Sequence, residues 1–365
     1  MTTDVEFPFT MSELESLRFD RWYPIFRKLT IRSEIITLSK EFVKYLLSDG
    51  VVLPRCDERT LSTQDPRFVA KIVEDDFSDD EEVWSDDDDD NDDDDSRPVF
   101  VELETKIKDS IRRLGGAAFA KVNWSSANDA KWITGSLKCI TPGHVFLLLK
   151  SSDFVSQSVT RTGPRRYCSD FSEDKKEEDL EKNSVLVLRR WGNISLSQEF
   201  RCFVRNHRII ALSQRDVFSY YDYLESRRER VRSCVSKFFQ NEMIPILKAN
   251  STKKIPDSFV MDVFIDRKDK VHLIDLSVLG KPTDTLLFSF SDLRNLENRL
   301  VVETSEKSFD FEIRFVRTKK QIVPSGRNFY CLPKDVLDRM SGKDTSVAEI
   351  AKEEVAKERR NEKEK

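Results

Sequence analysis

The sequence lacks the residue patterns of several common enzyme and metal-binding classes. No two of its six cysteines are closer than 29 residues, so there is no CxxC pair and no zinc-finger spacing. It contains no GxxxxGK[ST] motif, which excludes a P-loop, and no GxGxxG motif after a strand. Only three histidines occur, and none lies near a cysteine or serine in a triad-like motif.

Long apolar runs are also missing. None approaches the roughly 20 residues that a membrane span requires. The start, MTTDVEFPFTMSELE, has neither the basic nor the apolar region of a signal peptide. We therefore expect a cytosolic or nuclear protein with reduced thiols and no membrane partner, and of the two compartments we predict the cytoplasm.

What is present is charge, unevenly distributed. The segment Asp75–Ser96 holds 15 acidic residues and no basic one, while the net charge of the 365 residues is −5. The rest of the chain therefore carries −5 + 15 = +10. A basic body suits phosphate-bearing ligands or acidic partners. The acidic segment is expected to be disordered, because its charges repel one another and it has few apolar residues to bury.

The hydrophobic patterns predict an α+β fold. Ser39 is a candidate cap for a helix whose apolar stripe is Phe42, Val43, Leu46 and Leu47. Further patterns predict a helix that ends at Gly115-Gly116, a helix capped by Thr141 and one long helix over 220–247. They also predict a hairpin around Asn206-His207 and a charged tail. A helical front half followed by a mainly antiparallel sheet is the expected arrangement.

The stretch VHLIDLS carries an acid at the end of an apolar strand. Alternation predicts that Val271, Leu273, Asp275 and Ser277 share one face. If the loop RKDK joins two strands with Asp266 opposite Val271, then Ile265 meets His272 and Asp262 meets Asp275.

Two facing carboxylates indicate either a shared proton or a bound cation such as Mg²⁺, with Ser277 beside them as a neutral oxygen. The alternative is that Asp262 and Asp275 form ordinary salt bridges with arginine or lysine.

Several cations lie in or at the ends of other predicted strands. They are Lys121, Arg189, Arg190, Arg201 and Arg215. Buried arginines require anionic partners. Four strands that each supply a cation next to a carboxylate pair therefore favour a triphosphate–magnesium site.

Seven motifs in order give the chain a family resemblance. They are WYPIFRKLTIRS, KVNWSS, FLLLKSSDF, LVLRRW, EFRCFV, SQRD and LIDLSVLG followed by TDTLLF. Together they resemble the cell division cycle protein 123 family. The resemblance implies an ATP-grasp-like α+β fold with two subdomains, over 1–183 (including the insert 75–96) and 184–333. A charged tail over 334–365 is expected to follow and to be disordered.

The resemblance also implies cofactors and site residues, and the cofactors would be ATP and Mg²⁺. The ATP-binding residues would be Lys121, Asn123, Trp124, Ser125, Leu188, Arg189, Arg190, Trp191, Arg201 and Arg215, and the metal ligands Asp262, Asp275 and Ser277. No catalytic residue is implied. The family pattern IDFNPFGE reads IDLSVLGK here, so Ser277 replaces an asparagine and Lys281 an acid, which predicts weaker metal binding.

By resemblance the function is that of an assembly chaperone. Such proteins bind the gamma subunit of the eukaryotic translation initiation factor two complex and promote its joining to the alpha subunit, which supports translation initiation and cell-cycle progression. We expect a monomer with no direct nucleic-acid partner. The alternatives are an ATP-grasp carboxylate–amine ligase and a degenerate ATP-grasp scaffold without nucleotide chemistry. The region Arg18 to Arg32 is a candidate partner surface, or else Trp22, Tyr23 and Phe26 serve the core.

Overall fold

A computed structural model describes most of the chain outside the charged segments. The described residues are 7–55, 97–160, 163–172, 184–192, 194–250, 255–302 and 311–318. All of them belong to one compact unit, Met1–Val323. The acidic segment 75–96 and the tail 334–365 lie outside the described residues. Within the described ranges, no helix combines the length and the apolar character that crossing a membrane requires.

The first sheet is antiparallel and belongs mostly to the front half of the chain. Its strands are β1 (Ser33–Thr37), β2 (Ala118–Val122), β3 (Ser125–Ser126), β4 (Lys138–Cys139) and β5 (Val185–Arg190). The order is β1-β5-β2-β3, and β4 also pairs with β2. β5 therefore completes this sheet, although the sequence assigns residues from 184 onward to the second subdomain.

The second sheet carries the acid pair. Its strands are β6 (Glu199–Arg205), β7 (Arg208–Gln214), β8 (Phe259–Ile265), β9 (Val271–Ser277) and β10 (Glu312–Arg314). The order is β10-β7-β6-β8-β9, and all pairs are antiparallel except β10 with β7. Asn206 and His207 both have positive φ, as the tight turn of the predicted β6–β7 hairpin requires.

The helices of the front half follow their predicted caps. They are α1 (Met11–Ser16), α2 (Phe19–Phe26), α3 (Lys40–Leu47), α4 (Val101–Arg113), α5 (Lys131–Thr134), α6 (Pro142–Lys150) and α7 (Asp153–Val159). Ser39 accepts a hydrogen bond from the Phe42 amide and caps α3, and Thr141 caps α6 in the same way. On α3, however, Tyr45 is buried and Leu47 is exposed, so the predicted stripe is wrong at one position.

The predicted single long helix is shorter and interrupted. It begins only at Arg228 as α8 (Arg228–Phe238), passes through a π-helical turn over Phe239–Met243 and continues as α9 (Ile244–Ala249). Pro245 is the second residue after the turn, and a proline cannot donate the amide hydrogen bond of a regular α-helix. The last helix is α10 (Phe290–Val302).

The β8–β9 hairpin has a different register from the predicted one. Ile265 pairs with Val271 and Phe264 with His272, one residue away from the predicted pairs. A β-bulge between the Val263–Leu273 and Asp262–Asp275 pairs then takes up one residue, Ile274. The predicted Asp262–Asp275 pair is therefore confirmed, but the count that led to it was wrong by one and the bulge compensated.

The bulge also changes which face of β9 carries the acid. Val271, Leu273 and Leu276 are buried in the main hydrophobic core, whereas Asp275 and Ser277 are only half-buried. The prediction that Val271, Leu273, Asp275 and Ser277 share one face is wrong, because an extra residue reverses the alternation. The strand thus supplies the core with one face and the cavity described below with the other.

The core explains the aromatic front segment. Trp22 and Phe26 are completely buried and Tyr23 nearly so, packed with residues of the second sheet. Their role is core packing, so they do not form an exposed partner surface. This segment also joins the two sheets, since the Leu273 amide donates to the Leu29 carbonyl (2.8 Å) and the Thr30 hydroxyl to the Leu273 carbonyl (2.7 Å).

Candidate nucleotide site

A cavity of about 520 Å³ lies between the two sheets. β2 and β5 of the first sheet form one wall, and the start of β6 and the bulged part of β9 form the other. The lining residues include the cationic Lys121, Lys131, Arg189, Arg190 and Arg215, the acidic Glu199 and Asp275, and the apolar Ile31, Phe119, Leu137, Trp191, Ile194 and Leu196. The lining therefore combines five cations and two carboxylates with several apolar side chains.

Lys121 connects the two walls of the cavity. Its ammonium nitrogen donates to Oδ2 of Asp275 at 2.6 Å, from β2 in the first sheet to β9 in the second. The Lys121 side chain is 3% exposed and that of Asp275 is 22% exposed. Burial lowers the pKa of Lys121, and the negative charge of Asp275 opposes this shift.

Arg189 makes a second connection between the sheets. From β5, its Nη1 donates to the carbonyl of the bulge residue Ile274 at 2.5 Å and its Nη2 to the Thr30 hydroxyl at 3.1 Å. Its Nε is buried and has no hydrogen-bond partner among the described residues. Burial lowers the pKa of Arg189. The guanidinium donates hydrogen bonds to neutral oxygens and lies over the Phe19 ring, and Asp275 acts on it only through its charge, so an anionic ligand in the cavity could pair with it directly.

Asp262 is bound by two arginines. Arg201 donates to both of its carboxylate oxygens, at 2.7 and 2.8 Å, and Nε of Arg215 donates to Oδ2 at 3.0 Å. Burial alone would raise the pKa of Asp262, but the two guanidinium groups outweigh it and hold that pKa below its usual value. The negative charge of Asp262 in turn raises the pKa of Arg215. For Asp262 the salt-bridge interpretation therefore describes the geometry.

The residues of KVNWSS separate into cavity and scaffold positions. Lys121 lines the cavity, but Asn123 is buried and ties β2 to neighbouring segments, accepting from the Val185 amide and donating to the Ser158 carbonyl. Trp124 donates to the Leu14 carbonyl and packs beneath Arg165. Neither Trp124 nor Ser125 lines the cavity.

The residues of LVLRRW divide in the same way. Because side chains alternate along β5, Arg189 lines the cavity and Leu188 is fully buried on the opposite face of the sheet, in the core beneath the helices. Arg190, the last residue of the strand, and Trp191, which follows it, also line the cavity. Arg201, Asp262 and Ser277 do not line the cavity, although Arg201 and Asp262 reach it through Arg215.

Glu199 lines the cavity and was missed from the sequence. Its carboxylate lies 3.7 Å from Nη1 of Arg215, and burial raises its pKa. Ser126 and Lys131 were missed as well. An acid as the first residue of EFRCFV was the only signal that could have indicated Glu199, since nothing in the spacing predicts that this strand starts at the cavity.

A resident metal ion has a limited set of ligands here. Among the described residues, no group of three or more His, Cys, Asp or Glu side chains is arranged to hold a metal. Mg²⁺ in nucleotide sites, however, typically uses one or two carboxylates together with phosphate oxygens. Asp275 fits that role from within the cavity, and the cavity as a whole fits a nucleotide, with cations for phosphates and apolar side chains for a base.

Comparison with known proteins identifies the family. The family model described as D123 matches residues 22–340. The chain belongs to the D123 family. The Xenopus tropicalis protein named translation initiation factor eIF2 assembly protein is 37% identical over 337 residues, covering 90% of this chain and 91% of that protein. Candida glabrata cell division cycle protein 123 is 31% identical over 340 residues, with 91% and 89% covered.

A solved structure supports the fold. The structure of Cdc123 from Schizosaccharomyces pombe matches with a TM-score of 0.60 and 30% identity, covering 86% of this chain and 100% of that one. The match confirms the predicted α+β, ATP-grasp-like class. The predicted resemblance to the cell division cycle protein 123 family is also confirmed.

Proposed function

We propose that this chain is an ATP- and Mg²⁺-binding assembly chaperone for the eukaryotic translation initiation factor two complex. It would bind the gamma subunit and promote its joining to the alpha subunit, and so support translation initiation and cell-cycle progression. The relatives named translation initiation factor eIF2 assembly protein and cell division cycle protein 123 support the role in assembly. We expect this assembly to take place in the cytoplasm.

The single observation that carries the nucleotide part is the cation set of the cavity. Lys121 and Arg189 are nine-tenths buried or more, and Arg189 has a buried Nε without a partner among the described residues. One carboxylate, Asp275, pairs directly with Lys121 and acts on Arg189 only through its charge, so a further anion would lower the free-energy cost of burying two cations. A polyphosphate against Lys121, Arg189 and Arg215, with a base against Trp191, would satisfy both the charges and the apolar wall.

Asp275 is the proposed magnesium ligand. Its Oδ2 now accepts from Lys121 at 2.6 Å. Bound Mg²⁺ would neutralise phosphate charge and bridge the phosphates to the protein. With a nucleotide and Mg²⁺ bound, Lys121 would donate to a phosphate oxygen in place of Asp275. Neither Lys121 nor Asp275 would then be left without a partner. Ser277, which lies outside the cavity lining, would reach the ion only through water.

A scaffold without nucleotide is the second candidate function. It is favoured by one observation, namely that Asp262 is fully engaged by Arg201 and Arg215 and Asp275 by Lys121. In that case the pairs would be structural, and ATP would leave partner binding unchanged.

A capture experiment tests the proposal. Purified gamma subunit is immobilised and exposed to this chain and to Lys121→Met, each with and without MgATP. Lys108→Met, at an exposed position of helix α4, is the matched control. We expect wild type and control to be captured, with MgATP changing the amount only where Lys121 is present. Absence of capture in every condition would contradict the partner assignment, and capture of all three proteins with no effect of MgATP would favour the scaffold.

A further inference from the structure

Lys121 and Arg189 lie side by side on one face of the first sheet. In the antiparallel pair of β2 and β5, Lys121 is opposite Val187 and Phe119 is opposite Arg189, so the two cationic side chains leave the same face as diagonal neighbours. One carboxylate, Asp275, accepts from Lys121 at 2.6 Å and acts on Arg189 only through its charge. Two buried like charges therefore share a single directly bonded carboxylate, and a further compensating group would stabilise them.

The aromatic ring of Phe19 is in contact with both cations. Nζ of Lys121 lies over this ring at 5.3 Å from its centroid, and Cζ of Arg189 lies over it at 5.1 Å. Phe19 is the first residue of α2 and is completely buried. The face of an aromatic ring carries negative electrostatic potential, and it attracts a cation within about 6 Å most strongly where water is excluded. Phe19 thus supplies negative potential to the nucleotide site without lining the cavity.

Neighbouring side chains fix the orientation of the Phe19 ring. The Trp22 ring meets it edge-on at 4.6 Å between centroids, and the Tyr23 ring stacks on it at 5.1 Å with 20° between the planes. The Tyr23 hydroxyl is held in turn, because it accepts from the Ser33 amide at 2.9 Å and donates to the Ser33 carbonyl at 3.2 Å. The ring is therefore anchored in the orientation in which both cations lie over it.

We propose that Phe19 compensates the charges of Lys121 and Arg189 in the nucleotide-free chain, as a positioning residue that touches no ligand. This inference rests on the proposed function, because the anion that takes over the compensation is the phosphate of the nucleotide. A cation paired with a phosphate presents little net charge to the ring, so the attraction between ring and cation weakens in the occupied site. Phe19 therefore stabilises the free site more than the occupied one, and it lowers the affinity for nucleotide.

Packing alone is the alternative role for Phe19, as for the other aromatic residues of α2. The two roles depend on different properties of the ring. Packing depends on its size and shape, whereas the attraction of a cation depends on the electron density of its face. Fluorine atoms in place of ring hydrogens withdraw that density and change the size little. A series of fluorinated phenylalanines at position 19 therefore separates the two roles.

Thermal melts of the nucleotide-free full chain are the first test. Residue 19 is replaced by monofluoro-, difluoro- and trifluorophenylalanine, and the same series at Phe26 is the matched control. Phe26 lies on the same helix and is equally buried, and within the described part of the chain no cation lies over its ring. We expect the melting temperature to fall stepwise at position 19, by about 4–8 °C for the trifluoro ring, and to change by less than about 2 °C at position 26.

Removing the cations tests whether they cause this fall. In a chain that carries Lys121→Met and Arg189→Met, the fluorinated rings at position 19 have no cation of the pair to lose. We expect the melting temperature in that background to be the same for all four rings, within about 2 °C, because the effect of the ring depends on its contact with these two side chains.

Calorimetric titration of the same full-length proteins with MgATP is the second test. The free site loses a stabilisation that the occupied site largely lacks, so the affinity should rise with each added fluorine at position 19. We expect about fivefold tighter binding for the trifluoro ring and unchanged binding for the series at Phe26. A ring that served only to pack would leave the affinity unchanged or lower it.

Three results would overturn the inference. The melting temperatures at position 19 might change no more than those at position 26, or the stepwise fall might persist without Lys121 and Arg189. Fluorination at position 19 might also weaken the binding of MgATP, which would mean that the ring acts through its shape. Absence of MgATP binding by the wild-type chain would instead contradict the proposed function, and the melts would still decide whether Phe19 compensates the two cations.

Discussion

Replacing Asp262 by asparagine should destabilise the fold far more than its single lost charge would suggest. Asp262 is 4% exposed and accepts three hydrogen bonds from Arg201 and Arg215. Asparagine has nearly the same shape, but it offers one acceptor oxygen where the carboxylate offers two. Arg201, with its side chain 11% exposed, would lose its counter-charge, and Arg215, with its side chain 35% exposed, would keep only Glu199 at 3.7 Å.

The magnitude follows from the cost of an uncompensated charge. Removing one partner of a buried ion pair costs about 3–5 kcal/mol. The retained oxygen and the partial exposure of Arg215 put the expected loss near the lower end, about 3 kcal/mol of unfolding free energy. For a large domain that corresponds to roughly 6–12 °C in melting temperature.

Urea unfolding followed by circular dichroism measures this loss at pH 7. The matched control is Asp109→Asn, which removes a carboxylate from an exposed ion pair with Arg112 at 2.9 Å and should cost less than about 1 kcal/mol. A loss below about 1 kcal/mol for Asp262→Asn, equal to the control, would refute the view that the two arginines depend on this charge.

Three further predictions follow from the same geometry. The pKa of Asp262 is lower in the folded than in the unfolded state. The contribution of Asp262 to the stability of the fold is therefore complete above the unfolded pKa of about 4 and should fall as the pH drops through the folded value. In thermal melts, an Asp262→Asn chain should accordingly lose less stability than wild type between pH 5 and pH 2. Ser277→Asn should raise Mg²⁺-dependent ATP affinity, since an amide oxygen reaches further than a hydroxyl, whereas Ser277→Ala should not; equal affinities in calorimetry would remove Ser277 from the metal site. Deleting residues 75–96 should change the melting temperature by less than about 4 °C, because the segment has little to bury; a large cooperative loss would show that it is structural.

The sequence predicted the fold class and several element boundaries because caps and turns are local. Ser39 and Thr141 each cap a helix through their own side chain, and the Asn206-His207 turn needs only its own backbone conformation. Such features depend on a few neighbouring residues, so they can be recognised without knowing the rest of the structure.

Features that depend on distant parts of the chain could not be predicted in this way. The bulge at Ile274 reversed the faces of β9, and no local pattern marks it. The pairing of Lys121 with Asp275 joins residues 154 positions apart. Leu188 and Arg189 are adjacent in sequence, but they face opposite sides of the first sheet. The cavity lies on the side that faces the second sheet, and the position of that sheet cannot be inferred from these two residues.

Calorimetric titration with ATP, with and without Mg²⁺, tests the central claim most directly. Wild type, Asp275→Ala and the exposed control Asp109→Ala are compared. We expect wild type and control to bind ATP with an affinity that Mg²⁺ increases, and Asp275→Ala to lose at least about tenfold of the Mg²⁺-dependent affinity, a difference of about 1.4 kcal/mol. No heat from ATP in either condition, or an Asp275→Ala titration identical to wild type, would contradict the assignment of this cavity as a magnesium–nucleotide site.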